Sequence, residues 1–381
     1  MARNRIIYGS EAVIASQFAT STGTGAHAQL RRVQSFGHTE EVASENIQQF
    51  GNTARIGTIV LSSPTVTEDV TYLLGDGYNE NVLGFYVQSA TARTAEAGFA
   101  SGHMVTSSGI NIYELITPEG TDANTLSGPA SLSGYAVNGF GNSFLSNWSL
   151  NAAVGGFPTV TVSLESLNAN HETYVCNGAI TGVNTPAIDA TAGTALTQNT
   201  GVRLPIPVVG TGAGIPLALR PGDITLNFGS LTGTGATTLS PFYKLDGADG
   251  LHIQSVDIAV PLSRTPIERL GSRFAYARTL DLPIDVTMSV SAIVNEQVKR
   301  NLASALDDTT EHTVTTTINQ PDGTPACKFT LKGARFNSQA SSLDIGGNKT
   351  VDLKFTAQIG SINDTARGLF MSGAYDGSVF Q

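Results

Sequence analysis

The sequence predicts a mainly β protein in which one module occurs twice. Three observations carry this. First, apolar residues come in short β-branched runs broken by Gly and Asn, which is the punctuation of strands and turns. Second, charged residues are only 14% of the 381 while hydrophobic ones are 40%, so cores can be filled and Gly, Ser, Thr and Asn take the place charges usually hold. Third, one pattern recurs at constant spacing. Val33-Gln34-Ser35, Ile47, Phe50-Gly51, Val66-Thr67 and Val70 are answered by Ile253-Gln254-Ser255, Ile267, Leu270-Gly271, Val286-Thr287 and Val290, each 220 residues on (254 − 34, 290 − 70). A fixed offset over so long a stretch marks a duplication.

In chain order, residues 1–29 read as an N-terminal arm, with Ser16 to Gly25 rich in Ser, Thr and Gly. A first β-module spans 30–235. Its strand text runs through Ile56, Ile59-Val60-Leu61 and, after Pro64, Val66, Val70 and Tyr72. Residues 39–50 are a candidate short helix stopping at Gly51. Residues 90–143, rich in Gly, Ser, Ala and Asn, read as an insertion or extended loop carrying short strands. Strand text resumes over 144–228, where Trp148 is expected in the module core. Thr232 to Thr238 reads as a linker. The second β-module spans 245–381. Inside it, Val294, Val298, Leu302, Ala305 and Leu306 fall at helical spacing, with Asn295, Glu296, Lys299 and Arg300 on the other face and Asp307-Asp308 at its end. Further partial matches leave open which early segment answers which late one. Phe157 to Leu164 parallels Leu282 to Val290, Gly178-Ala179 parallels Gly333-Ala334, and Ile224, Leu226 and Phe228 parallel Val351, Leu353 and Phe355.

Composition excludes several functions. The net charge is −10 (21 − 31), so no general basic field draws nucleic acid. Two cysteines, Cys176 and Cys327, are expected as buried thiols and not as a disulfide framework. The first residues lack the apolar stretch of a signal peptide, and no apolar run approaches the ~18 residues of a spanning helix. A soluble product made in the cytoplasm is expected.

No catalytic constellation appears, and no enzyme, cofactor or metal is expected. Gly210, Gly212 and Gly214 lack the G-x-G-x-x-G spacing and read as a loop; P-loop, H-E-x-x-H and G-x-S-x-G motifs are absent. The six histidines (His27, His38, His103, His171, His252, His312) show no ligand-like spacing. Asp246 to Gly250 reads as a turn before Leu251 and not half of a calcium loop. Arg264, Arg269, Arg273 and Arg278 read as a solvated or intersubunit face.

A module repeated within a chain can occupy two quasi-equivalent places in a ring. Three chains then give a pseudo-sixfold ring through head-to-tail interfaces. Edge strands need pairing, and edge-to-edge pairing around the ring would close a barrel.

Particular segments carry a family likeness. They are Arg32-Val33-Gln34-Ser35, Phe50-Gly51, Ala54-Arg55-Ile56, Pro64-Thr65-Val66, Asp76-Gly77-Tyr78-Asn79-Glu80 and Leu83-Gly84-Phe85. With them go Val154 to Thr159, Gly333-Ala334-Arg335-Phe336, Ile345 to Leu353 and Gly368 to Gly373. These resemble major tail-tube proteins of tailed phages, over about two thirds of the chain.

The resemblance implies β-sandwich or barrel modules with a flanking helix, here two tandem tail-tube-like modules. Inner strands would join a barrel around a lumen, and loops or hairpins would clasp the next ring. A fused pair of modules is similar to the trimeric rings of long non-contractile, siphovirus-like tails. Implied partners are further copies in stacked rings, a tape-measure protein, a tail terminator and distal tail proteins. The implied place is the virion tail, assembled in the host cytoplasm, with DNA passing the lumen without specific binding and no membrane contact. An acidic or neutral lumen lets DNA slide. Candidate lumen acids are Glu68, Asp69, Glu165, Asp257, Asp285 and Asp352. Other virion roles (capsid, tail terminator, baseplate component) and a β-sandwich surface-binding module stay open.

Overall fold

A computed structural model describes residues 8–16, 27–42, 44–60, 65–89, 98–99, 109–118, 135–174, 183–185, 199–204, 224–230, 252–267, 270, 277–293, 311–319, 323–342, 349–361 and 363–373. The fold is mainly β. The first half holds β1 (Tyr8–Ser16), β2 (His27–Gln29), β3 (Val33–Glu41), β4 (Ser44–Gln49), β5 (Asn52–Val60), β6 (Thr65–Leu73), helix α1 (Tyr78–Val82) and β7 (Gln88–Ser89). There follow β8 (Ile110–Pro118), β9 (Tyr135–Ala153), β10 (Thr159–Ser166), β11 (Asn168–Tyr174), β12 (Val183–Thr185) and β13 (Asn199–Leu204). The second half holds β14 (Ile224–Ser230), β15 (His252–Pro261), β16 (Arg264–Ile267), β17 (Ala277–Leu280), β18 (Ile284–Ile293), β19 (His312–Asn319), β20 (Pro325–Ser342), β21 (Thr350–Ile359) and β22 (Gly368–Gly373).

Eight strands form the central layer, in the order β3-β6-β10-β9-β15-β18-β21-β20, all antiparallel. The strict two-residue period of their sequences sends alternate side chains to opposite faces. Val66, Val70, Tyr72, Val160, Val162 and Leu164 are buried on one face, while Thr67, Asp69, Thr71, Thr161 and Ser163 lie on the other. The same alternation runs through β18 and β21.

Registers in the two halves coincide. Phe36 pairs with Val70 and Thr39 with Thr67; 220 residues on, Val256 pairs with Val290 and Ala259 with Thr287. Both ladders shift register at the same place, around Gln34 and around Gln254. Each of those glutamines turns its amide back to the carbonyl before it, Val33 and Ile253. The β9–β10 and β20–β21 pairs also coincide, at an offset of 191 (351 − 160): Leu150 pairs with Val160 as Ser341 pairs with Val351. Their bulges fall at Ser146 and Asn337, again 191 apart (337 − 146). So β10 answers β21. The likeness of Ile224, Leu226 and Phe228 to the β21 residues does not reflect equivalent places, because β14 pairs with β19 in another layer.

The long strands β9 and β20 each serve two layers. Residues 135–143 of β9 pair with β8 and β11, and residues 325–334 of β20 pair with β19 and β22. The changeover lies at Asn142 (φ 53) and Gly333 (φ 69), once more 191 apart. Asn and Gly are the residues that tolerate this left-handed backbone. The second layers fold over the inner face of the central sheet and the core lies between. Phe36 meets Phe140 at 5.7 Å, Trp148 meets Phe329 at 5.7 Å, and Phe99 stacks on Phe85 at 4.2 Å. Each such aromatic removes 150–250 Å² from water. Trp148 is fully buried, in contact with rings from both halves.

Three expectations need correction. Residues 8–16 and 27–29, read as part of an arm, are strands, with β1 paired to β8 over its length. Residues 39–42 and 44–50 form no helix. They are the end of β3 and the start of the β4–β5 hairpin, because Glu40 and Glu41 continue the β6 ladder. Residues 110–118 and 135–143 are strands, as expected within 90–143, but they belong to the second layer and are matched by β19 and the first half of β20, so they are not an addition to the module. The one α-helix among the described residues is α1. The expected helix at 294–306, the linker at 232–238, Cys176 and residues 210–214 and 246–250 lie outside the described residues.

Candidate assembly surface

The outer face of the central sheet is open and polar. Five of the six expected lumen acids lie on it: Asp69, Glu165, Asp257, Asp285 and Asp352, joined by Glu41. They sit in a field of hydroxyls and amides. Asp69 accepts from Ser163 at 2.6 Å, Asp285 from Gln358 at 3.2 Å, and Asp257 from Asn151. Lys354 and Arg335 are the basic residues on the central strands of this face among the described residues, and Arg278 of β17 reaches Glu165. Arg335 is held 3.6 Å from Glu311.

Glu68 is the exception. It alternates with Val66 and Val70 and therefore points inward, fully buried, where it accepts from Ser166, itself 2.5 Å from Ser143. Burial pushes its carboxyl up to about 8. Glu80 behaves similarly. It is buried on α1, accepts from the Tyr72 hydroxyl at 2.8 Å, and is pushed by burial up to about 7.

The central sheet has two free edges among the described residues. β3 pairs only with β6, and residues 335–342 of β20 pair only with β21. These edges are the two halves of a joint that exists inside the chain. The last strand of the first copy's sheet, β9, pairs with the first strand of the second copy's sheet, β15, from Ser255↔Ala153 to Pro261↔Asn147. Since β15 answers β3 and β9 answers β20, the chain presents an unmade β3 edge on one side and an unmade β20 edge on the other. Along the internal joint Trp148, Leu150, Ile258 and Val260 are buried. On the free edges the matching described residues are polar and exposed: Ser341 for Leu150, His38 for Ile258 and Glu40 for Val260.

The β4–β5 hairpin stands apart as a two-stranded sheet, nearly every residue exposed. It carries Ile47, Ile56, Ile59 and Val60 in the open, with Phe50 wholly exposed at its turn. An isolated hairpin is marginal in water, so apolar residues on one point to a covering surface. The counterpart hairpin, β16–β17, repeats the device with exposed Ile267 and Leu270, each 220 residues after Ile47 and Phe50 (267 − 47, 270 − 50). Arg264 and Arg278 lie on that hairpin and anchor it to the first copy, and are not a solvated stretch. Arg264 Nε donates to the Leu145 carbonyl at 3.1 Å and Arg278 pairs with Glu165. Arg269 and Arg273 lie outside the described residues.

Cys327 is a buried free thiol. His38 and His171, distant in sequence and read as unrelated, stand side by side with ring centroids 5.5 Å apart, and Glu40 lies against His171. Nothing in the spacing of the histidines announces this, because the two strands meet only through the fold. No described helix is long and apolar enough to cross a membrane.

No family model and no curated protein matches the chain. Among solved structures, one chain of the cryo-EM structure of the anti-feeding prophage baseplate, six-fold symmetrised, is similar at 12% identity and a TM-score of 0.27. The match covers 44% of this chain and 99% of that one. At that score the likeness carries no argument about function.

Proposed function

We propose that the chain is a non-enzymatic structural virion protein, the subunit of a phage tail tube that forms stacked rings around a channel for DNA. The observation that supports this most is the internal β9–β15 joint with its two halves left free at β3 and β20. Head-to-tail repetition of one joint closes a ring when its rotation divides the circle. Three chains of eight central strands would supply a barrel of 24 strands (3 × 8) and no open edge. The polar face carrying Asp69, Glu165, Asp257, Asp285 and Asp352 would line the lumen. Carboxylates and hydroxyls there repel or ignore the phosphates, so DNA passes without a specific hold. The apolar hairpins β4–β5 and β16–β17 would pack on the neighbouring ring.

Negative-stain electron microscopy of concentrated protein tests the reading. Open-ended tubes of regular repeat, built from three-chain rings, are the expected result. Closed shells would favour a capsid role, single unstacked rings a terminator or baseplate role, and persistent monomers a surface-binding module.

A further inference from the structure

Five polar side chains at the free flank of the first copy form a chain that the fold does not require. Asn138 on β9 donates from Nδ2 to Glu114 Oε2 on β8 at 2.7 Å. Its Oδ1 lies 2.8 Å from His171 Nδ1 on β11, and His171 Nε2 lies 2.5 Å from Glu40 Oε1 on β3. His38, two residues before Glu40 on the same face of β3, completes the set. By strand register the second copy places Thr316, Phe329, Met371, Val260 and Ile258 at these five positions, all buried. One backbone therefore accepts apolar side chains at four of the same five places, with Thr316 at the fifth.

The hydrogen-bond chain fixes the imidazole. Asn138 spends its NH₂ on a carboxylate, so its oxygen faces Nδ1, and Nδ1 carries the hydrogen. Nε2 is thereby turned to the Glu40 carboxylate oxygen, a nitrogen and an oxygen facing each other where either a ring proton or, once the side chains part, a metal ion can join them. A carbonyl-type acceptor behind a histidine, itself held by a further group, is the outer support that metal-ligating histidines have.

The metal-binding atoms of His38, Glu40 and His171 all lie within 4.8 Å of one another. Ligands on a tetrahedral Zn(II) at 2.0–2.1 Å stand about 3.3 Å apart, so side-chain rotations suffice to seat an ion. Phe140 packs 5.0 Å from the His38 ring and limits its freedom. The three residues are exposed, which leaves the fourth coordination position to water. Two imidazoles and one carboxylate suit Zn(II) and its first-row neighbours better than Ca²⁺ or Mg²⁺, which favour oxygen alone.

We propose that His38, Glu40 and His171 bind one first-row divalent cation of the Zn(II) class, with Asn138 and Glu114 as positioning residues for His171. All five residues belong to one chain, so the site stands whether or not rings form.

The test uses the untagged full chain, titrated with Co(II) alone and then with Zn(II) alone. Expected are one equivalent bound, visible d–d absorption from Co(II), and its displacement by Zn(II). His38→Ala, His171→Ala and the milder Glu40→Gln should each weaken binding at least about tenfold, and Asn138→Ala about 10–100-fold, with far-UV circular dichroism unchanged. Absence of saturable binding overturns the proposal. So does one equivalent bound with equal affinity by the His171→Ala and Glu40→Gln proteins.

Discussion

Where the first copy buries Glu68 against Ser166 and Ser143, the second buries Met288 with Ala357 and Ala334 at the matching positions. Where the internal joint packs Trp148 and Leu150, the free edge of β20 carries Gln339 and Ser341. The strands, bulges and left-handed corners are nonetheless the same. Pairing geometry in this fold is thus set by alternation and by the bulge and corner residues, while the polarity of what is buried varies with what each copy must meet. An apolar seam is closed when the chain folds. In the proposed ring, the polar seam would stay open to water until a second chain pairs with it.

The strongest way to break this comparison is to trap the unmade joint. The internal pair Ala259↔Ser149 corresponds to Thr39 on one chain and Ala340 on the next. Directly opposed residues in an antiparallel pair have Cβ atoms about 4.5–5.5 Å apart. The double substitution Thr39→Cys with Ala340→Cys should give a covalent trimer on non-reducing gels after oxidation, and neither single substitution should. Unlinked double variant under conditions where rings are visible would remove the equivalence of the two seams.

Next in size is a contrast of matched positions. Leu150→Ala should cost about 2–5 kcal/mol in chemical denaturation of the monomer. Ser341→Ala at the matching place should stay within about 0.5 kcal/mol. Equal losses would show that the free edge is already packed in the monomer.

The buried carboxyl gives a pH signature. Its folded value is raised, so its stabilising contribution is fully present below the ordinary value of 4.5 and is lost as pH rises through about 8. Glu68→Gln keeps an acceptor for Ser166 and removes that loss. Urea melts should match wild type near pH 4 and exceed it by a few kcal/mol, on the order of 1.36 per pKa unit, near pH 9. Parallel profiles for the two proteins would contradict the assignment. The smallest effect on the monomer should come from Phe50→Ser at the hairpin turn, within about 0.5 kcal/mol, while tube length in micrographs should fall sharply.

Much of this was legible in the sequence. The 220-residue offset showed because Val66, Val70, Val286 and Val290 face a core in both copies, and because Gln34 and Gln254 serve the same bulge. The 191-residue offset was hidden by Trp148 against Gln339 and Leu150 against Ser341, which differ because one seam is closed and the other is not. The open-face acids were readable from alternation. The same alternation would have moved Glu68 inward, since Val66, Glu68, Val70 and Tyr72 share a face. The end of β3 was misread because His38 and Glu40 make both of its faces polar there and erase the two-residue period set by Phe36. The His38–Glu40–His171 cluster was out of reach, since β11 comes to β3 only through the folding of two layers.

Because β9 and β15 belong to one polypeptide, their ladder forms at the effective concentration of a tether and not at that of the free protein, a difference that reaches the millimolar range for flexible links. The angle between the copies is set before any second molecule is met. In the proposed ring, a newcomer at β3 or β20 would find a docking geometry already written beside it in covalently guaranteed form. Curvature of that ring would need no external gauge, and half of its joints would never be subject to the translational and rotational entropy of collision.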